Sequence, residues 1–233
     1  MGEIVQSVER ALRILLAFDE DRGSLSAGEI AATTGLARPT TYRLLQTLHH
    51  LGFVRHVDGR FELTPYVLRL SSGYLGSNGL ARRAQPVLDR LTETVGEHTS
   101  IAVLDGDEVV SLASSNSPRS RFLAVAVQVG QRLPADRSSL GRVLLAHAPD
   151  RCPDTEPPDV REEYDRILAQ GYAVNDGLLE PGLRAIATPV RDHAGNVVAS
   201  LAIAVNASQV SLEQLCDLFP ALAAAARELT AMT

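Results

Sequence analysis

A series of helix start and stop signals between residues 26 and 59 constrains the fold of this chain more than any other feature of its sequence. Ser26-Ala-Gly-Glu29 has the residues of a capping box, in which the serine oxygen accepts a backbone N–H and the glutamate reaches back to the helix start. Gly35 is expected to end this short helix. Pro39 suits the first turn of the next helix, and Gly52 is a typical stop for it. These signals predict two helices joined by a tight turn.

Two further segments complete this N-terminal part. Apolar residues recur at helical spacing over about residues 7–18, which predicts an amphipathic helix with Ser7 as its N-cap. After the helices, strands are expected over Phe53–Val57 and Arg60–Leu63. They flank Asp58-Gly59, a pair that tolerates the positive φ of a type I′ turn. Helix, helix, tight turn, helix and hairpin is the order of a winged helix-turn-helix, which binds double-stranded DNA.

In that fold the third helix enters the major groove, so its early, solvent-facing residues meet base edges and phosphates. The residues expected on this side, together with the arginine at the hairpin, are Arg38, Thr40, Thr41, Tyr42, Arg43, Gln46 and Arg60. Exposed arginines are often only solvated, however, and Tyr42 could instead pack against the preceding helix. The sequence leaves these alternatives open for each single residue.

The formal net charge of −6 argues against nucleic acid, which prefers a basic surface. The distribution of charge along the chain removes the conflict. Residues 1–75 hold eight arginines and eight acidic residues, so the deficit of −6 belongs to residues 76–233. Within residues 35–61, four arginines face one acidic residue. The predicted DNA-binding segment is therefore basic, and the acidity lies in the C-terminal part.

The N-terminal motifs resemble those of the IclR family of bacterial transcription regulators. The resemblance rests on QSVERALRIL from Gln6, LSAGEIAATTGL from Leu25, TYRLLQTL from Thr41 and LGFV from Leu51, and it continues to nearly the end of the chain. It implies a DNA-binding domain over residues 1–64, a linker helix over 65–80 that joins in dimer contacts, and an effector-binding domain over 81–233. The alternative for the linker region is a plain core helix.

The C-terminal part alternates short strands with helices. Strands are expected over His98–Leu104, Val109–Ala113, Phe122–Val129, Ala185–Val190 and Val197–Val205. Helices are expected around Ala84–Leu91, Ser138–His147, Val160–Ala169 and Leu212–Leu229, and Pro149–Pro158 is expected to be a loop. This pattern predicts an α+β domain whose mostly antiparallel sheet is covered by helices, and the family resemblance implies that it is GAF-like.

The resemblance also implies where a small organic acid effector binds. The implied residues are Arg137, Ser138, Ser139, Leu140, Gly141, Asn175, Ala185, Ala202 and Ala204. At Asn175 the family pattern has Asp, and at the three alanines it has Cys, Ser and Ser, so this chain lacks several hydrogen-bonding groups. A more apolar effector is expected, with its carboxylate near the serines that begin the Ser138 helix.

Arg132 and Arg184 are further candidates to pair with the effector's charge, or else structural salt-bridge residues. Two segments, one from His98 and one from Gln131, resemble the branch that regulates the catabolism of protocatechuate, 4-hydroxybenzoate and β-ketoadipate. The chain is shorter than that branch near Cys152, which affects the wall around the sheet.

Other classes of function lack sequence support. The chain has no GxSxG elbow, no GxGxxG after a strand and no HExxH, and its two cysteines form no CxxC, so we expect no enzyme, cofactor or metal site. Few cysteines and no apolar run of membrane-spanning length predict a cytoplasmic protein without a membrane partner. The expected form is a homodimer or homotetramer on a palindromic operator. A winged-helix module that contacts other proteins and senses no ligand is the alternative.

Overall fold

The structure is a computed structural model that describes residues 4–19, 22–77, 79–118, 129–148 and 157–232. The chain divides into two compact units, residues 1–77 and residues 78–233. None of the helices in the described ranges has the length and apolar character needed to cross a membrane.

In its described residues, the first unit contains four α-helices and a three-stranded antiparallel sheet. The helices are α1 (Gln6–Leu15), α2 (Ala27–Thr34), α3 (Arg38–His50) and α4 (Leu68–Ser77), and a 3-10 turn over Pro65–Val67 precedes α4. The strands are β1 (Ser24–Leu25), β2 (Val54–Val57) and β3 (Arg60–Leu63), in the order β1-β3-β2. Their core is formed by large apolar side chains, among them Ile14, Ile30, Leu45, Leu48 and Phe61.

The predicted helix signals determine the ends of α2 and α3. Ser26 Oγ accepts from the Glu29 N–H, and a Glu29 carboxylate oxygen accepts from the Ser26 N–H at 2.7 Å. Gly35 ends α2 in the left-handed region, with φ of +70°. Pro39 lies in the first turn of α3. The helix-turn-helix therefore follows from local sequence signals.

The hairpin after α3 also has the predicted form. Strands β2 and β3 are antiparallel, and Val57 at the end of β2 lies opposite Arg60 at the start of β3. Asp58 and Gly59 therefore make the turn. Asp58 has φ of +50° and Gly59 φ of +79°, the two positive values that a type I′ turn requires. The prediction that Ser7 caps α1 is wrong, because the N-cap is Val5 and no side chain completes it.

Within the part of the chain that the structure describes, the second unit has a six-stranded antiparallel sheet in the order β6-β5-β4-β9-β8-β7. Its strands are β4 (His98–Asp105), β5 (Glu108–Ser115), β6 (Arg132–Pro134), β7 (Ala173–Asp176), β8 (Leu183–Arg191) and β9 (Val197–Asn206). Its helices are α5 (Gly79–Val95), α6 (Ser139–Ala146), α7 (Pro158–Gln170), α8 (Leu212–Asp217) and α9 (Phe219–Ala231). The predicted α+β fold with an antiparallel sheet is confirmed.

Helices cover both faces of this sheet. Thr99 of β4 hydrogen-bonds to Thr92 of α5 at 2.7 Å, so the side of the sheet that carries Thr99 packs against α5. Helix α5 in turn packs against α9. Ser200 of β9 donates to the Leu140 carbonyl of α6 at 2.9 Å, so the side of the sheet that carries Ser200 is covered by α6. Because side chains alternate along a strand, each strand residue can be assigned to the α5 face or the α6 face.

Several C-terminal elements differ from the predictions. The expected helix over Leu212–Leu229 is two helices, because α8 ends at Asp217 and α9 begins at Phe219 with Pro220 in its first turn. The short strands β6 and β7 were not predicted. All of the expected strand Phe122–Val129 except Val129, and most of the expected loop Pro149–Pro158, lie outside the described residues. Helix α7 begins already at Pro158.

Candidate DNA-binding surface and effector site

The exposed face of α3 carries polar and basic side chains. Arg38, Arg43 and Gln46 are exposed, and the Tyr42 side chain is 51% exposed, so Tyr42 is not packed into the core. Thr40 is half-buried. We call the surface of Arg38, Tyr42, Arg43 and Gln46 the α3 face. It presents two guanidinium groups, a phenol and an amide, a set of groups that can contact phosphates and base edges.

The expectation that Thr41 faces solvent is wrong. Thr41 is 0% exposed, and its hydroxyl hydrogen-bonds to the Ala37 carbonyl one turn earlier. It lies four residues before the buried Leu45, which places it on the core side of the helix. Thr41 therefore packs α3 against the rest of the unit.

The arginines of the first unit differ in their pairing. Arg55 pairs with Glu62 at 2.7 Å, and Arg60 pairs with Glu29 at 3.0 Å and donates to the Ser24 carbonyl at 2.8 Å. Arg38 and Arg43 form no ion pair with any of the described residues. The α3 face thus carries two guanidinium groups that are free of ion pairs among the described residues.

The pairing of Arg60 links the hairpin to the start of α2. Glu29 accepts from Ser26 in the capping box, and these hydrogen bonds, helped by the Arg60 guanidinium, lower the pKa of its carboxyl from 4.5 to about 2. Arg60 therefore forms hydrogen bonds within the unit, although its side chain remains 44% exposed. His56 beside it stacks on Phe61, with ring centroids 4.5 Å apart.

In the second unit, most of the implied effector residues gather on the α6 face of the sheet. Cross-strand pairing sets His98 of β4 beside Ala204 of β9, Ala204 beside Ala185 of β8, and Ala185 beside Asn175 of β7. We call these four residues the His98 row. Directly opposite residues in antiparallel strands share a face, so all four side chains lie on the same side.

A second row runs parallel to the first, two residues along each strand. It consists of Ser100, Ala202, Ala187 and Ala173. Its alanines pack with Leu140, Val143 and Leu144 of α6. Ala185 and Ala204 instead pack with Leu183 and Leu179. The implied residues Ala185, Ala202 and Ala204 therefore belong to one apolar floor of methyl groups, in which Ala202 packs with residues of α6 and the other two alanines pack with Leu183 and Leu179.

The start of α6 is held against this floor. Ser138 is the N-cap, and its buried hydroxyl accepts from the Gly141 N–H at 3.1 Å. Ser139, Leu140 and Gly141 are buried too. A Cβ on Gly141 would clash with the backbone of Ala135, so the approach of α6 to the preceding loop requires glycine. The structure gives Gly141 a packing role.

Asn175 connects the loop before α6 to the turn after β7. It is 1% exposed, its amide nitrogen donates to the Arg137 carbonyl, and its amide oxygen accepts from the Leu178 N–H at 3.0 Å. Arg137 is exposed and donates to the Leu178 carbonyl at 2.8 Å. Both residues thus lie at the N-terminal end of α6.

The other two candidate arginines have structural partners. Arg132 forms ion pairs with Asp105 at 2.8 Å and with Glu108 at 2.5 Å, at the edge of the sheet. Arg184 pairs with Asp176 at 2.6 Å and donates to the carbonyls of Ala207 and Val210. These contacts favour the structural interpretation for both.

Two buried polar side chains on the α6 face were not singled out from the sequence. His98 is 1% exposed and Ser111 is 2% exposed, and neither His98 Nε2 nor Ser111 Oγ has a hydrogen-bond partner among the described residues. Burial lowers the pKa of His98 below its ordinary value, which a hydrogen bond to Asn116 partly opposes. A histidine at the start of a strand was the only available signal, and it does not reveal what the ring contacts.

The fold and these two surfaces define a winged helix-turn-helix unit followed by an α+β unit with a small-residue floor. Residues 7–58 match the IclR helix-turn-helix domain, and residues 72–231 match the C-terminal domain of bacterial IclR transcriptional regulators. The chain therefore belongs to the IclR family, and it is a DNA-binding transcriptional regulator. Both the family and the regulator class were predicted from the sequence and are confirmed.

Characterised relatives and solved structures match along nearly the whole chain. The Pca regulon regulatory protein of Pseudomonas putida is 36% identical, over 97% of this chain and 84% of that protein. The p-hydroxybenzoate hydroxylase transcriptional activator of Acinetobacter baylyi is 33% identical, over 97% and 91%.

Among solved structures, a putative transcriptional regulator from Rhodococcus sp. RHA1 has a TM-score of 0.80 at 35% identity, covering 97% of each chain. An IclR homologue from Microbacterium hydrocarbonoxydans, complexed with 4-hydroxybenzoate, has a TM-score of 0.81 at 26% identity, covering 97% of this chain and 98% of that one. These relatives regulate transcription, so the chain is grouped with regulators and not with enzymes.

Proposed function

We propose that α3 is the recognition helix and that its exposed face reads a palindromic operator. The observation that carries this is the pair of exposed arginines, Arg38 and Arg43, without an ion-pair partner among the described residues on a helix that contains no acidic residue. An unpaired guanidinium can bind phosphate or guanine without first breaking an internal salt bridge. Arg60 assists at the edge of the site, because its side chain is exposed although paired.

The operator is bound by a homodimer, which matches the two-fold symmetry of a palindrome. One face of α1 supports self-association, because Val5, Val8, Leu12 and Leu16 are between 52% and 83% exposed and recur at helical spacing. A contiguous apolar stripe of this kind is unusual on the surface of a monomer. A homotetramer would be a pair of such dimers.

Replacing Arg43 tests the recognition-helix assignment. Arg43→Ala should weaken binding to DNA from the protein's own upstream region by at least ~10-fold, the effect of losing one bidentate base contact or a well-placed phosphate contact. The change should leave the melting temperature within ~1 °C, because exposed surface substitutions hardly affect stability. Fluorescence anisotropy and thermal unfolding give the two readouts.

The control is Arg166→Ala on α7, which is also exposed and changes the net charge by the same amount. It should bind the same DNA like the wild type. Wild-type affinity in Arg43→Ala would overturn the assignment. A failure of the wild-type protein to shift its own upstream DNA would instead favour a winged helix that contacts proteins.

The effector proposed for the second unit is a small aromatic or β-keto acid held on the α6 face. The methyl groups of Ala185, Ala202 and Ala204 offer no hydrogen bonds, so this floor suits an apolar body better than a small hydrophilic acid. The carboxylate would lie at the start of α6, beside Ser138 and Ser139. One relative is named a transcriptional activator of p-hydroxybenzoate hydroxylase, another a Pca regulon regulatory protein, and one related structure contains 4-hydroxybenzoate.

A thermal-shift screen tests this effector class. At ~100 times Kd a ligand stabilises the native state by ~2.7 kcal/mol, and a unit of about 150 residues then melts ~5–10 °C higher. We expect such a shift from at least one of 4-hydroxybenzoate, protocatechuate and β-ketoadipate, and none from glyoxylate or pyruvate. Stabilisation by glyoxylate at low concentration would contradict the apolar site.

A further inference from the structure

His98 is a buried imidazole with one nitrogen satisfied and the other without a partner among the described residues. Its ring is 1% exposed, and Nδ1 lies 2.7 Å from the side-chain oxygen of Asn116. Nε2 is buried and forms no hydrogen bond with any residue that the structure describes. A buried polar atom without a partner is costly for the fold, so its presence needs an explanation.

The Asn116 contact determines the chemistry of the free nitrogen. An amide oxygen can only accept, so Nδ1 carries the proton and donates it to Asn116. In the neutral ring Nε2 is then left with a lone pair and acts as an acceptor. Burial favours this neutral form, since it lowers the pKa of His98. The group that satisfies Nε2 is therefore a hydrogen-bond donor.

The position of His98 indicates where such a donor comes from. His98 ends the row whose other end is Asn175, with Ala204 and Ala185 between them. Neighbouring strands are ~4.8 Å apart, so the two ends of the row are separated by roughly 14 Å between backbones. The Asn175 side chain holds the Arg137 carbonyl and thus the start of α6. The row has a polar group at each end and methyl groups in the middle.

We propose that His98 Nε2 accepts a hydrogen bond from the hydroxyl group of a hydroxylated aromatic acid, whose ring lies on Ala204 and Ala185. Its carboxylate points toward the Arg137–Ser139 end of the row. This inference rests on the proposed function, namely that the α6 face holds an aromatic acid. It makes His98 a residue that selects for a ring hydroxyl, a role that the methyl groups of Ala204 and Ala185 cannot fill.

The test compares 4-hydroxybenzoate with benzoate, which has the same ring and carboxylate but no hydroxyl. Isothermal titration of the full-length wild-type protein should give at least ~10-fold tighter binding of 4-hydroxybenzoate, because benzoate leaves the buried acceptor unpaired. His98→Phe keeps a flat ring but removes the acceptor, and it should bind the two acids within ~3-fold of each other. His193→Phe, which changes an exposed histidine in a turn, should keep the wild-type preference.

A second variant keeps the test decisive if His98→Phe does not fold. Asn116 is exposed, and Asn116→Ala removes the acceptor that fixes the imidazole tautomer without creating a buried cavity. The preference for 4-hydroxybenzoate should fall several-fold in this variant.

The results separate this inference from the proposed function. Equal binding of both acids by the wild type, or an undiminished preference in the His98 and Asn116 variants, would overturn the role of His98 while leaving an aromatic-acid effector in place. If the wild type binds β-ketoadipate but neither aromatic acid, the role of His98 fails and the organic-acid regulator stands. If none of these acids binds, both proposals fail.

Discussion

Gly141 shows how a single residue sets the position of α6. Its amide is held by the Ser138 hydroxyl, and its Cα faces the backbone of Ala135 so closely that no side chain fits between them. The family resemblance implied Gly141 as an effector-binding residue, whereas the structure explains it by packing. The start of α6, where the effector's carboxylate is proposed to lie, depends on this close approach.

Gly141→Ala should therefore destabilise the second unit. The added methyl group forces apart α6 and the loop at Ala135, and overpacking of this kind costs ~1–3 kcal/mol. Thermal unfolding followed by circular dichroism measures the loss. Gly23→Ala is the matched control, because a Cβ at Gly23 meets no atom within 4 Å, and it should stay within ~0.5 kcal/mol of the wild type. A wild-type melting temperature in Gly141→Ala would show that the loop at Ala135 can move to accommodate the added methyl group at no cost in stability, and it would contradict this packing role.

The arginines of the first unit show what single-residue reasoning from sequence cannot resolve. Arg38, Arg43 and Arg60 look alike in the sequence, as basic residues near predicted DNA contacts. Arg60 is paired with Glu29, which lies 31 positions earlier in the chain, and only the fold brings these two together. Thr41 was misplaced for a different reason, since the first turn of a helix has polar residues on several sides and its core side is marked only from Leu45 onward.

At the scale of the element, two helices of the protein begin with the same capping arrangement but with different partners. Ser26 pairs with Glu29 at the start of α2, and Ser211 pairs with Gln214 at the start of α8. Only the first box contains a titratable group. The pKa of Glu29 is lowered from 4.5 to about 2 in the folded protein, chiefly by its hydrogen bonds with Ser26.

This difference predicts a pH effect. The folded-state pKa of Glu29 lies below its unfolded value, so its carboxylate contributes stability above about pH 4.5, and this contribution is lost as the pH falls toward about 2. Ser26→Ala removes the cap, which costs ~0.5–2 kcal/mol at neutral pH. It should also make the loss of stability between pH 4.5 and pH 2 smaller, because the pKa of Glu29 is then lowered less in the folded protein.

Urea unfolding at several pH values between 7 and 3 measures both effects. Ser211→Ala serves as the control: it should also lower stability, but without changing the slope with pH, since Gln214 does not titrate. If Ser26→Ala loses the same free energy of unfolding at every pH, Glu29 is not coupled to the cap.

Elements with strong local signals were predictable from sequence, and elements without them were not. The capping box, Gly35 and Asp58-Gly59 each fix a backbone conformation by themselves, so α2, α3 and the hairpin were found close to their true limits. The strand β6 has three residues and is stabilised by pairing with β5, which no local pattern reveals. The break between α8 and α9 had a signal in Pro220, but the continuous apolar pattern concealed it.

At the scale of the whole molecule, the effector site depends on strand order. The His98 row brings together residues from positions 98, 175, 185 and 204, which are distant in the sequence and adjacent in the sheet. The family resemblance supplied Asn175, Ala185 and Ala204, but it gave no reason to consider His98. The contact between His98 and Asn116 follows only from the antiparallel pairing of β4 and β5.

The distribution of charge also has meaning only for the whole chain. The acidic residues in excess lie beyond residue 75, in the unit that is proposed to bind the effector, whereas unpaired arginines lie on α3. An acidic protein has little general attraction for DNA, so its operator affinity depends on a few contacts. The logarithm of the binding constant should then fall with the logarithm of the salt concentration by about 0.9 for each phosphate contacted.

In the proposed function, an organic acid bound by the second unit controls DNA binding by the first. The most direct measurement is a fluorescence-anisotropy titration of the protein against its own upstream DNA, with and without the acid that raises the melting temperature. Typical allosteric couplings of ~1–3 kcal/mol correspond to a change in operator Kd of ~5–150-fold, and we expect a change in this range. An operator Kd that is the same at zero and at saturating acid, in a protein that demonstrably binds both, would contradict it.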